Sequence, residues 1–215
     1  MTETTGVRAQ AKAERRRRLK DAALAVFADK GYQAATTREI AERAGCGPAT
    51  LFRYAAEKRD LLLMIVNDDL ARISEAAEAK LDFEAPLIES LLTLFVPRFK
   101  YWALNPDLGR EALHVTVMAR ANDDTFETQR YRHRRDGLVK TISELVRRQQ
   151  AAGHVRADVD PALLAEFFRD IYLAQRRTWL SEAKPNAARG VTHFRRMLEL
   201  ALDGFGAHAT GAPRL

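Results

Sequence analysis

Apolar positions along most of this chain recur at intervals of three and four residues, the spacing that lines one face of an α-helix. Leu19, Ala23, Val26 and Phe27 fall at i, i+4, i+7 and i+8 and predict a helix from about Arg15 that Gly31 ends. A short helix is expected next. Thr36 and Glu39 stand at capping-box spacing, Ile40, Ala41 and Ala44 make a narrow apolar side, and Gly45 closes it. The turn Gly45-Cys46-Gly47 leads to Pro48, which suits the first position of a third helix that carries Leu51 inward and ends near Tyr54. A long helix follows from Glu57 to about Lys80, with Leu61, Leu62, Ile65, Val66 and Leu70 on its buried side. Further helices are expected at about 86–103, 106–120, 124–151, 161–182 and 187–206, broken at Pro86, Asn105-Pro106, Asn122-Asp123, Gly153 and Lys184-Pro185. No stretch alternates as a strand would, and no repeat occurs. The fold class is therefore all-α, with about nine helices.

Two short helices joined by a glycine turn, behind a longer supporting helix, make a helix-turn-helix. The expected division is a three-helix domain over 1–60, a larger helical domain over 61–207 and a tail over 208–215. Within the first domain, residues 1–14 form a basic N-terminal tail, and residues 1–12 lack periodicity and are expected to be mobile. The last two helices differ from the rest. Val191, Phe194, Leu198, Ala201 and Phe205 repeat at three and four, like a coiled-coil seam. The 161–182 helix carries Leu163, Leu164, Phe167, Phe168, Ile171, Tyr172, Trp179 and Leu180 on more than one face and must be covered on two sides. One side can meet its own core and the other a second subunit. The expected homodimer interface comprises Phe167, Ile171, Val191, Phe194, Leu198, Ala201 and Phe205.

Charge changes this picture. Residues 1–60 hold 13 Lys/Arg against 8 Asp/Glu, so nearly all of the net +6 lies in the first quarter of the 215 residues. A basic module on a nearly neutral body points to a polyanion partner, nucleic acid before membrane. Arg15, Arg16, Arg17, Arg18 and Lys20 crowd the start of the first expected helix, where the helix dipole disfavours cations. Whether that run touches DNA stays open between a groove-reaching arm and a solvated stretch.

Composition excludes other classes. Hydrophobic residues make up 47% and charged residues 30%, which fits a globular protein rather than a disordered one. No apolar run approaches the roughly 18 residues of a membrane span, and the basic N-terminus lacks the apolar stretch of a secretory signal. With one cysteine, Cys46, there is no internal disulfide and no cysteine-based zinc site. A cytoplasmic location is expected, without a membrane partner. The five histidines show no i, i+3 or i+4 pair, and no nucleophile elbow, P-loop or dinucleotide fingerprint occurs. Asp68 and Asp69 are neighbours on a helix and diverge, so they make no catalytic pair. No catalytic residue, metal or cofactor is expected, and the chain is not expected to be an enzyme.

The stretch from Phe27 to Leu61 contains F-x-x-x-G-Y, then T-T-x-x-x-I-A-x-x-A-G, then T-L-F-x-Y-x-x-x-K-x-x-L. In these motifs and their spacing it resembles the DNA-binding region of the TetR family of transcriptional regulators. The resemblance is close over about 45 residues, and beyond them it extends only to length and helical character. It implies a homodimeric DNA-binding protein, usually a repressor, released from its operator by a small effector bound in the second domain.

A helix in the major groove points its first turn at base edges. That turn offers Gly47, Pro48, Ala49 and Thr50, with Arg53 and Tyr54 one turn on. Arg53 can donate to guanine O6 and N7, and Tyr54 can reach a phosphate. The resemblance suggests Thr37 on phosphate, Arg38 near a base and Lys58 on the DNA backbone. There are departures from the family pattern. Phe52 stands where Tyr is usual and is expected half in the core, Ala55 replaces a bulky aromatic, and Gly47 replaces a Ser or Thr cap.

Residues Phe95, Phe99, Trp102, His114, Met118, Tyr131, Phe168 and Tyr172 lie on helices that surround the family's cavity and are the effector candidates. Their character suggests a largely apolar or aromatic effector, and Pro97 should bend the helix beside them. The expected partners are a palindromic double-stranded DNA operator, the effector and a second copy of the chain. A nucleoid-type structural DNA-binding protein without a ligand is the alternative.

Overall fold

The computed structural model describes residues 3–118 and 125–204, with side chains over 6–116 and 125–204. Among these residues there are nine helices and no strand: α1 (Glu3–Ala34), α2 (Thr37–Arg43), α3 (Pro48–Phe52), α4 (Lys58–Glu78), α5 (Leu87–Leu104), α6 (Pro106–Met118), α7 (Phe126–Ala151), α8 (Pro161–Leu180) and α9 (Ala187–Asp203). The all-α architecture and the order of helices follow the hydrophobic periodicity.

Local chemistry sets the boundaries. Thr36 caps α2 and closes a capping box with Glu39, Asp160 caps α8 ahead of Pro161, and Asn186 caps α9. α5 runs through Pro97 without interruption. The N-terminus departs from expectation, because α1 begins at Glu3 rather than near Arg15. Ala9, Ala11 and Ala13 alternate there with Arg, Gln and Lys, all good helix formers that need no apolar stripe. The run Arg15–Arg18 therefore lies in mid-helix, away from the unfavourable end of the dipole. Gly31, at φ 80°, marks the kink near the other end of α1.

The chain packs as two compact units, Met1–Ala79 with Leu104–Leu138, and Lys80–Ala103 with Val139–Leu215. In the first unit α1 packs on α2, α4 and α6, and α2 packs on α3. Leu19, Ala23, Ile40, Ala41, Leu51, Leu61, Leu62 and Ile65 are fully buried there.

Charge reinforces this apolar core. The Arg16 guanidinium meets Asp68 at 3.0 Å and Glu127 at 2.8 Å, and Arg130 meets the same two carboxylates at 2.8 and 2.9 Å. Asn67 donates to the Glu127 backbone carbonyl and side chain, and Lys20 pairs with Asp69 at 2.5 Å. Asp68 and Asp69 thus point to different partners, as adjacent helical positions must. Burial works to raise the Asp68 carboxyl, but hydrogen bonds from Arg16 and Arg130 outweigh it and hold it below its ordinary value. These contacts join α1, α4 and the start of α7.

The second unit is built on aromatic rings. Phe95 stacks on Tyr172 at 4.6 Å, and Phe99 meets Tyr172, Trp179 and Phe194 edge-on or tilted at 5.3–5.6 Å. Trp102 donates its indole N–H to the Tyr172 hydroxyl at 3.2 Å, and Trp179 donates to the Asn186 carbonyl. Gly190 lets α9 approach this cluster. A Cβ there would sit 3.0 Å from both Phe99 and the Trp179 ring nitrogen.

This packing corrects the expected dimer seam. Phe194 and Leu198 are fully buried inside their own unit, Phe194 against Phe95 of α5 and Tyr172 of α8 rather than a second subunit. A repeat at three and four marks a buried stripe and does not say which protein covers it. Phe205 lies outside the described residues. Val191, Ala201 and Ile171 are half-buried, and Phe167 is 47% exposed.

Candidate nucleic-acid interface

The interface begins at the turn between α2 and α3. Ala44 caps α2, Gly45 takes the left-handed conformation at φ 66°, and the Cys46 amide returns to the Ala41 carbonyl at 3.0 Å. A side chain at position 45 would be strained there. Gly47 serves as N-cap of α3 without a side-chain bond, and Pro48 occupies the first turn. Leu51 anchors α3 through its fully buried side chain. Gly47, Pro48, Ala49, Phe52 and Arg53 face solvent, and Thr50 and Tyr54 are half-buried.

At the start of α2, Thr37 is half-buried and the Arg38 side chain is 84% exposed, holding an ion pair with Glu42 at 3.0 Å. The capping carboxylate Glu39 is held at about 2 by a hydrogen bond from Lys30 and by the Thr36 hydroxyl and amide. The positions expected to meet DNA thus share the α2–α3 surface, with Lys58 set apart from them by its contacts.

Lys58 donates to the backbone carbonyls of Tyr32, Gln33 and Ala35 at 2.7, 2.9 and 3.1 Å. Its ammonium also lies 4.6 Å from the Tyr32 ring centroid. An ammonium has three N–H bonds, and here each has a carbonyl at the end of α1 or just beyond it. Burial pushes the Tyr32 phenol up to about 12. Lys58 therefore fastens α4 to the end of α1, and a phosphate would have to compete with those carbonyls.

Sequence reasoning missed two features. Phe52 is 52% exposed rather than half in the core, which places an aromatic ring on the outer surface of α3, of a kind that can meet a thymine methyl. The second is the α1 extension: Arg8, Lys12 and Arg15 share a groove with Arg53 and Tyr54. The sequence does carry a signal for it, cations at i, i+4 and i+7 that run out of the expected tail into the first helix.

The effector candidates fall in both units. Phe95, Phe99, Trp102, Phe168 and Tyr172 are buried in the second unit, where ring contacts account for most of them. His114 is exposed and Tyr131 half-buried, both on elements of the first unit, and the Met118 side chain lies outside the described residues. The second unit also buries Arg176, whose guanidinium lies 5.3 Å from the Trp102 ring and 5.9 Å from Tyr172. Its Nε has no hydrogen-bond partner. An open groove of about 560 Å³ in the same unit is bordered by Leu87, Ile88, Leu164, Phe167 and Phe168. Among the described residues no cluster of three or more His, Cys, Asp or Glu could hold a metal ion, and no helix is long and apolar enough to cross a membrane.

Comparison with known proteins bears on this interface. The family model described as bacterial regulatory proteins, tetR family, matches residues 19–65, which contain α2, α3 and the start of α4. The transcriptional repressor KstR of Mycobacterium tuberculosis is 27% identical over 172 residues, covering 80% of this chain and 74% of that protein. The repressor KstR2 of Mycolicibacterium smegmatis is 29% identical over 173 residues, covering 79% and 78%. Among solved structures, Thermus thermophilus FadR, a TetR-family repressor in complex with lauroyl-CoA, superposes with a TM-score of 0.70 at 23% identity, over 93% of this chain and 99% of that one. Bacillus subtilis FadR in complex with stearoyl-CoA gives 0.68 at 19% identity, over 88% and 98%.

Proposed function

The chain belongs to the tetR family of bacterial regulatory proteins, and from that premise we propose how this ligand-responsive, DNA-binding transcriptional repressor works. Regulators of this family bind DNA operators and small effectors and act as dimers. Residues 1–60 serve as the reader, and residues 61–207 serve in effector binding and dimerisation. The observation that carries the reading is the exposed surface of α2 and α3, rigidly seated through Ile40 and Leu51 with its polar side chains facing outward.

On DNA, α3 lies in the major groove. Thr50 and Phe52 touch bases or their methyl groups, Arg38 exchanges Glu42 for a base edge, and Thr37 and Tyr54 take phosphates. Arg53, at the end of α3, takes guanine or the backbone beside it. Two copies, related by a two-fold axis, read a near-palindromic operator. The dimer forms through the uncovered side of α8 at Leu163, Phe167 and Ile171, with Val191 and Ala201 of α9. The exposure of Leu163 (60%) and Phe167 on a helix whose other side is core supports that choice. The cytoplasm is the compartment where such a protein meets its operator.

The effector is largely apolar or aromatic and is received in the second unit. The two FadR structures make long-chain acyl-CoA thioesters the first class to test. Arg176 supports an anionic group on such a ligand, since a buried guanidinium gains most from a charged partner. The effector releases DNA by preferring a shape of the protein that binds operator less well, and by no more than that preference.

Selection of bound sequences from a random duplex pool tests the central claim. A recovered inverted repeat is expected, and uniform recovery of all sequences would instead favour the structural DNA-binding alternative. With the operator in hand, lauroyl-CoA or stearoyl-CoA should lower operator affinity by roughly 5–150-fold. Operator should lower acyl-CoA affinity by the same factor, because coupling between two binding sites is reciprocal.

A further inference from the structure

The basic run of α1 is not uniform. Arg16 is committed to Asp68 and Glu127, Arg17 bridges Glu14 and Asp21, and Lys20 holds Asp69. On the reader, Arg43 pairs with Asp29, Lys30 with Glu39 and Arg38 with Glu42. Lys58 is occupied by carbonyls. Against this background, the side chains of Arg18 and of four others, Arg8, Lys12, Arg15 and Arg53, make no ion pair or hydrogen bond with another described residue.

These four cations share one place. A groove of about 410 Å³ is lined by Arg8, Ala11, Lys12, Arg15, Arg53 and Tyr54. Residues 8, 11, 12 and 15 follow the i, i+3, i+4, i+7 spacing of one helix face, and Arg53 and Tyr54 follow directly on α3. Among the described residues no carboxylate lines the groove. The small side chain of Ala11 stands among the long cationic ones.

We propose that this groove is a second DNA-binding element, in which Arg8, Lys12 and Arg15 of α1 clamp the sugar-phosphate backbone beside the bases read by α3. It rests on the reading of α2–α3 as the reader and adds three residues to it. The argument is electrostatic. Like charges gathered without counter-charge repel one another in the free protein, whereas Arg16, Arg17, Lys20, Lys30, Arg38 and Arg43 each face a carboxylate. A polyanion relieves that repulsion, and duplex DNA presents a phosphate for every 3.4 Å of axis on each strand. From Arg8 to Arg15 the helix advances about 10 Å, the axial rise of roughly three nucleotides. Arg53 and Tyr54 tie the groove to the reading helix, so a strand lying in it is in register with the base contacts.

The role differs from base reading, and the test uses that difference. The variant Arg8→Ala/Lys12→Ala/Arg15→Ala alters exposed or half-exposed helical positions to the best helix former, so the fold is retained. Helicity and thermal unfolding of the variant verify this. Binding of the full-length protein is measured by fluorescence anisotropy on two duplexes of about 30 base pairs, roughly three turns of DNA. One carries the sequence selected by the wild type from a random pool, and the other a scrambled sequence.

The triple variant is expected to weaken binding to both duplexes by a similar factor. Its plot of log affinity against log salt should be shallower by roughly 2–3, at about 0.9 for each phosphate that is no longer neutralised. The base preference recovered from the random pool should be unchanged. A folded variant with the wild-type salt slope overturns the groove while leaving the reader intact. So does one that alters base preference without changing the slope. Failure of the wild type to bind any duplex overturns the reader assignment and the groove together. A second set, Arg8→Glu, Lys12→Glu and Arg15→Glu made singly, should weaken binding in step with charge reversal. Equal affinity of all three with wild type likewise overturns the proposal.

Discussion

In the first unit buried or half-buried charge meets opposite charge, while in the second unit ring meets ring. Arg16, Arg130, Asp68 and Glu127 form a closed group around Asn67, whereas Phe95, Phe99, Tyr172, Trp179 and Phe194 contact one another with few polar bonds among them. Ring packing depends on shape and volume, and it is insensitive to salt and acid. An ion-pair group depends on protonation and on partners that can be exchanged. The unit that carries the reader is therefore the one whose helices are joined by exchangeable contacts.

Truncation in the ring cluster should have the largest effect. Phe99→Ala or Phe194→Ala is expected to cost about 3–5 kcal/mol in chemical denaturation, the range for an aromatic removed from a packed core. A cost below about 1 kcal/mol would mean that the rings enclose usable space and that this cluster is less packed than its contacts imply. The burial of Phe194 also means that Phe194→Asp would unfold the second unit. Dimerisation is better tested with Phe167→Glu, which should convert dimers to folded monomers in light scattering.

Overpacking is the gentler test of the same cluster. Gly190→Ala must push against Phe99 and the Trp179 ring nitrogen and should cost about 1–3 kcal/mol. No change in the unfolding midpoint would show that α9 can move away freely.

Two substitutions should sharpen the ionic side. Asp68→Ala removes the shared partner of Arg16 and Arg130 and should cost about 1–2 kcal/mol, given that the pair is part-exposed. The loss should shrink in high salt, and a loss independent of salt would argue for packing instead. Lys58→Met should destabilise the protein by about 1–3 kcal/mol through the carbonyls of Tyr32, Gln33 and Ala35 it leaves. A Lys58 variant that unfolds like the wild type but loses DNA affinity would return Lys58 to the phosphate contacts.

The smallest expected effect is on acid stability. Asp68 and Glu39 both titrate below their ordinary values in the folded protein. Each contributes stability that is complete above the unfolded carboxylate value of 4.5 for Glu39 or 3.8 for Asp68 and is lost as pH falls through the lower folded one, about 2 for Glu39. Local unfolding of α2, followed by hydrogen exchange, should therefore rise between about pH 4 and pH 2. Exchange at α2 that stays flat over that window, while Asp68→Ala and Glu39→Gln change nothing, would remove the acid-sensitive part of the contrast.

Periodicity located the helices, apart from the beginning of α1, because an amphipathic helix must repeat its apolar positions at three and four whatever surrounds it. The capping box at Thr36 and Glu39, the turn at Gly45 and the start of α3 at Pro48 were equally legible, since caps and turns are local in sequence. The residues proposed to read DNA were legible as candidates for the same reason, for they lie within one short stretch. Tertiary structure decided the rest. It covered Phe194 and Leu198 from within, gave Lys58 three carbonyls from residues more than twenty positions earlier, and put His114 and Tyr131 in one unit and the aromatic cluster in the other. It also sorted the basic run of α1 by where each side chain found a carboxylate, and left Arg8, Lys12 and Arg15 without one. A sequence states which residues carry charge or apolar surface, but which partner neutralises or buries each is a property of distance in three dimensions.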